Sequence, residues 1–178
     1  MQTRAAPLAA ALALVVAAAC GSDTTTPVAP KPVKFAASLS PAAEPAVVGT
    51  PTGQGTFTAT LDTTTNVFTY NVTFSGLTST VILGHIHGPF TPGGQATTAN
   101  VILNFDPAVT PGATFVGLNT ATSGSATGTV TLNAGTSFTT AVNGDSLKKL
   151  LLAGLTYVNI HTTTNKGGEI RAQITVQP

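Results

Sequence analysis

Apolar residues recur at every second position through the middle of the chain, and this period decides what it can fold into. Phe57, Ala59 and Leu61 alternate with Thr58 and Thr60, and Phe68, Tyr70, Val72 and Phe74 alternate with Thr69, Asn71 and Thr73. Successive side chains on a strand point to opposite faces, so each run predicts a strand with one buried face and one Thr-rich outer face. The polar stretch Asp62 to Asn66 between them has hairpin-loop length, which pairs the two strands antiparallel. Further strands are expected at Phe35 to Ser40, Val81 to His87, Ala99 to Phe105, Thr127 to Leu132, Leu155 to Thr162 and Glu169 to Val176. Strands this short, joined by this many turns, point to an all-β antiparallel sandwich or barrel. One short helix fits Ser146 to Ala153, with Asp145 or Ser146 as cap, Leu147, Leu150 and Leu151 on one face and Gly154 at the end. A buried strand-like run is the alternative for that segment.

Charge narrows the function classes. Only 7% of the 178 residues are charged against 42% hydrophobic, and there is a single cysteine. That balance excludes a coiled coil, a charge-rich disordered tail and a nucleic-acid binder, and one cysteine cannot build an internal disulfide framework.

The lone cysteine belongs to the N-terminal segment. Arg4 followed by the apolar run Leu8 to Ala19 reads as a secretory signal, too short to span a bilayer. The sequence Ala17-Ala18-Ala19-Cys20-Gly21-Ser22 resembles the lipobox of bacterial lipoproteins, although Ala17 stands where Leu is commoner. The resemblance implies a leader over residues 1–19, acylation of Cys20 with diacylglycerol and palmitate, and attachment to the membrane through that lipid. An ordinary signal peptide cut just before a chance Cys is the alternative. Residues 20–34, with Pro27, Pro30 and Pro32, read as an extended tether. Loss of Arg4 leaves acidic and basic residues equal in number, so the mature chain has no net charge with which to seek nucleic acid or anionic lipid. Without an Asp after Cys20, the expected address is the outer membrane of a bacterial envelope, facing the periplasm or the exterior.

Recognisable catalytic motifs are missing, and no catalytic residue is assigned. The chemistry that remains lies with His85, His87 and His161. Gly84-His85-Ile86-His87-Gly88 places two imidazoles at i and i+2, on one face of a strand with Ile86 on the other. A short loop after His161 turns the chain back into Glu169-Ile170-Arg171, which sets His161 opposite Glu169 and Asn159 beside Arg171. Glu169 is then placed to orient His161 or to offer an oxygen ligand. These residues fit first of all hydrogen bonds that pin loop carbonyls; a transition-metal site and acid/base catalysis are the alternatives.

The segments Gly84-His85-Ile86-His87-Gly88-Pro89, Tyr157-Val158-Asn159-Ile160-His161-Thr162 and Gly167-Gly168-Glu169-Ile170-Arg171-Ala172-Gln173-Ile174 together resemble the CHRD domain. Lys166 and Ala172 replace the Pro and the Gly after the Arg in the family's usual second motif, Pro-Gly-Gly-Glu-Ile-Arg-Gly-Gln. The likeness spans Phe35 to about Val176, making 35–178 the domain. It implies an immunoglobulin-like β-sandwich or barrel, with some similarity to copper/zinc superoxide dismutases. His85, His87 and His161 are similar to copper ligands there, but with no fourth histidine a binuclear site is excluded by counting.

Two functions are therefore expected to compete. One is a non-enzymatic, envelope-anchored binding or structural module without cofactor, whose partner is a protein or a glycan. Phe90 is the one aromatic offered as a platform, or else it is core. The other is a mononuclear copper or zinc protein using the three histidines. Convergence of the three rings would favour the second, and rings each saturated by backbone carbonyls the first.

Overall fold

The structure, a computed structural model, describes residues 31–90, 99–136 and 142–178. The expected leader, Cys20 and the tether before Lys31 lie outside the described residues, as do residues 91–98 of the loop after His87.

Ten strands and one helix make up the described fold. The strands are β1 (Val33–Leu39), β2 (Gln54–Asp62), β3 (Val67–Ser75), β4 (Val81–His87), β5 (Val101–Asn104), β6 (Thr114–Val116), β7 (Gly124–Thr131), β8 (Tyr157–Thr162), β9 (Ile170–Gln173) and β10 (Thr175–Gln177), with α1 (Gly144–Leu152) between β7 and β8. They form two antiparallel sheets, ordered β10-β1-β2-β3-β7-β6 and β5-β4-β8-β9, so the expected all-β sandwich with one short helix is what the chain adopts.

The period-two runs pair as their loop requires. Leu61 faces Phe68 and Phe57 faces Val72 across β2 and β3, and all four are fully buried. Each such side chain contributes about 1.5–3 kcal/mol by leaving water. On the outer face the threonines align, with Thr56 and Thr73 hydroxyls 2.8 Å apart. The second sheet completes the core with Ile86, Leu103, Val158, Ile160 and Ile170.

Three details depart from the sequence expectation. Helix α1 begins at Gly144, and its cap is Asn143, whose side chain accepts from the Ser146 N–H at 3.0 Å, rather than Asp145 or Ser146. Gly154 does end it, at φ +68°. The expected strand Glu169 to Val176 is two strands, because at buried Ile174 the chain passes from the four-stranded sheet to pair β10 with β1. The short β6 was not anticipated at all. Among the described residues no helix is long and apolar enough to cross a membrane.

What positions the site is the outer face of the four-stranded sheet. All six residues of β8 are buried, including the outward-facing Tyr157, Asn159 and His161. The segment after β1 reaches over them: Ser40 bridges to Arg171, the Ala43 carbonyl accepts from Arg171 Nε at 2.6 Å, and the Val48 N–H donates to Asn165 Oδ1 at 2.6 Å. Sheets of this kind commonly leave one face to water; here both faces of β8 are covered.

Candidate metal centre

Strands β4 and β8 pair with His85 opposite Asn159 and Leu83 opposite His161. That register sets His161 diagonally across from His85, while His87 follows two residues along β4 on the same face. The three rings therefore converge. One ligand nitrogen from each of His85, His87 and His161 lies within 4.8 Å of the others, and ring centroids are 5.0 to 6.1 Å apart. Each residue is only 6–7% exposed.

Hydrogen bonds assign the protons. His87 Nδ1 lies 2.9 Å from the Ala99 carbonyl, and His161 Nδ1 lies 2.9 Å from the Lys166 carbonyl. A carbonyl only accepts, so both Nδ1 atoms carry hydrogen and both Nε2 atoms of the neutral rings keep a lone pair. His161 Nε2 meets His85 Nδ1 at 3.2 Å, which makes His85 the donor. His87 Nε2 is buried with no hydrogen-bond partner. The carbonyls thus occupy one nitrogen of two rings and leave the other facing the cluster, where His161 Nε2 accepts from His85 and His87 Nε2 has no partner.

Burial keeps the rings neutral. It pushes His85 down to about 3, with His161 and His87 adding to the effect. Burial likewise pushes His87 down to about 4 against the pull of the Ala99 carbonyl, and lowers His161 in the same way. Neutral imidazole is the form that binds metal, and imidazole donors suit copper and zinc.

The flanking residues divide. Asn159 sits between His85 and Arg171 in a registered row across β4, β8 and β9; its place beside Arg171 was expected, and that beside His85 was not. Glu169 does not orient His161. Its carboxylate accepts from the Thr78 N–H and hydroxyl at 2.7 Å each, the Thr162 hydroxyl at 2.7 Å and Asn165 Nδ2 at 3.3 Å. Burial alone would raise this carboxyl, but the hydrogen bonds outweigh it and hold the group below its ordinary value. The chain enters β9 only at Ile170, so strand alternation does not apply at Glu169 and its side chain joins Thr162 on the other side of β8. The Lys166 carbonyl orients His161 instead.

Arg171 and Tyr157 shape the side of the cluster near His87. The imidazole of His87 stacks on Tyr157 at 4.7 Å and 5°, and the Arg171 guanidinium lies 4.7 Å from the same ring. Phe90 packs edge-on against Tyr157 at 5.1 Å and is 7% exposed, so it is core and not a platform for a glycan.

One residue here carried no signal in the sequence. Glu44, at the end of the short turn Pro41–Ala43, is buried with its Oε2 4.0 Å from Arg171 Nε. It lies in a Pro-rich loop with nothing to say that the loop folds over the sheet.

The sequence profile of the CHRD domain matches residues 35–174. The chain belongs to the CHRD domain family. The match takes in most of β1, all of β2 to β9, α1 and all three histidines of this CHRD domain. No curated protein and no solved structure matches the chain.

Proposed function

We propose that this chain is a lipid-anchored protein of the bacterial envelope whose CHRD domain binds one copper or zinc ion through His85, His87 and His161. A binding module is what CHRD membership suggests, and the observation that supports the metal is the convergence of three buried nitrogens within 4.8 Å. Bonds of about 2.0–2.1 Å to one ion place its ligand nitrogens about 3.3–3.6 Å apart. The His85–His161 pair stands at 3.2 Å; with the hydrogen of His85 moved from Nδ1 to Nε2, which frees the Nδ1 lone pair, the most distant nitrogen has about an ångström to close. The unpartnered Nε2 of His87 supplies a reason for that closure. When bound, copper would bring redox chemistry and zinc Lewis acidity; the chain's own part is to hold three neutral donors in place.

The anchor rests on the leader and on Cys20. Two or three acyl chains on one cysteine hold a protein to a membrane stably, where one chain is marginal. Metal binding is tested by the paramagnetic resonance spectrum of the full chain with one equivalent of Cu(II). Hyperfine coupling to three imidazole nitrogens is expected, reduced in His87→Ala; a spectrum identical to that of the variant would sink the reading. Cys20→Ser should move the protein from the membrane fraction to the soluble one and abolish palmitate labelling.

A further inference from the structure

Three of the buried polar atoms without a partner lie together on this outer face: His87 Nε2, Asn159 Oδ1 and Glu44 Oε1. The last two meet across Gly168. A Cβ built there would overlap Glu44 Oε1 and lie 2.6 and 2.7 Å from the Asn159 amide atoms, and Gly168 holds φ +131°. Asn159 in turn stands beside His85 across the sheet and two residues before His161. Glu44 is therefore separated from the histidine cluster by one amide side chain on one side, and by Arg171 and Tyr157 on the other.

Charge makes that position matter. Three neutral imidazoles bring no negative charge to a bound cation, and the charged group that acts on His87 is the Arg171 guanidinium, itself 3% exposed. Glu169 is turned away into Thr78, Thr162 and Asn165, and Lys166 is exposed. The titratable and charged groups that face Glu44 are Arg171 from β9 and Tyr157 from β8.

We infer that Glu44 is the charge-compensating residue of the three-histidine centre, and that cation binding there is coupled to ionisation of its carboxyl group. The inference rests on the reading of His85, His87 and His161 as a cation site. Protonation of Glu44 removes a negative charge beside Arg171, and ionisation restores it close to the arriving ion. A cation bound at the histidines must therefore favour loss of the Glu44 proton to solvent, and affinity must strengthen as pH rises through the range in which that carboxyl titrates. Burial pushes Glu44 up to about 7, with Arg171 pulling against it. The histidines add no slope there, since they are already neutral.

The test is competition for Zn(II) between the detergent-solubilised full chain and a chromophoric chelator at pH 6, 7 and 8, for wild type and Glu44→Gln. Wild type should bind about tenfold more tightly at pH 8 than at pH 6. Glu44→Gln should bind at all three, with no such rise and more weakly than wild type even at pH 6. Calorimetry of the wild type at pH 7 in two buffers of different ionisation enthalpy should show about half a proton released per ion, the fraction held by a group that titrates near 7. A flat wild-type profile, or a rise and proton release that persist in Glu44→Gln, overturns the role of Glu44 while leaving the histidine site intact. No Zn(II) binding by wild type overturns both.

Discussion

His85 and His161 stand 76 residues apart in the chain, yet His85 Nδ1 donates to His161 Nε2 across 3.2 Å. The contact follows from antiparallel register between β4 and β8, and the Lys166 carbonyl fixes its polarity by holding the proton of His161 on Nδ1. A neutral, ordered imidazole cluster results, with its tautomers set by backbone groups that no substitution alters directly.

Those tautomers are measurable. Long-range proton–nitrogen NMR of the metal-free protein at neutral pH should find all three rings uncharged, with hydrogen on Nδ1 of His87 and His161. Hydrogen on Nε2 of either ring would contradict the network.

Acid should unfold the metal-free domain early. A histidine held below its ordinary value of 6.5 takes up its proton more readily once the chain unfolds. Its contribution is complete above about 6.5 and is lost as pH falls toward 4. Glu44, raised above its ordinary 4.5, works the other way below about 7, but offsets one proton of three. Stability should therefore fall by about 3 kcal/mol per pH unit near pH 5, measured as urea midpoints. A midpoint unchanged between pH 7 and pH 5 would mean that the rings are protonated in the folded state.

Glu169→Gln should destabilise the domain by about 2–3 kcal/mol, because a buried carboxylate with four hydrogen bonds loses its charge and half of its acceptors. Metal affinity should change by less than about threefold, since the carboxylate touches none of the histidines. A large loss of affinity at unchanged stability would restore Glu169 to the metal centre.

Gly168→Ala combines a left-handed φ with overlap onto Asn159 and Glu44. The expected cost is about 2–4 kcal/mol in urea unfolding, larger than either effect alone. An unchanged midpoint would show that the loop can yield there without disturbing the nest.

How far the sequence reached depends on the kind of signal. Period-two alternation reports burial on a sheet face, so β2, β3, β4 and β8 were readable, and a short hairpin loop put Asn159 beside Arg171. His85-Ile86-His87 on one strand also placed two imidazoles on one face by parity alone. Alternation is blind where the chain is not extended, which is why Glu169 turned the other way. It is blind again at Ile174, where Ile170, Ala172, Ile174 and Val176 keep one period while the chain changes sheets. Neither Glu44 nor the covering of the outer face left any periodic trace, because a loop folded across a sheet is held by single contacts such as Arg171 Nε to the Ala43 carbonyl.

The most direct test is calorimetric titration of the full chain with Cu(II) and with Zn(II), beside His85→Ala/His87→Ala. Convergent neutral imidazoles predict one ion per chain for the wild type and a loss of at least about a hundredfold in affinity for the double variant. Wild-type binding no tighter than that of the double variant, at a pH where the rings are neutral, would contradict the metal centre and leave the three histidines as the fastening of the β4–β8 face.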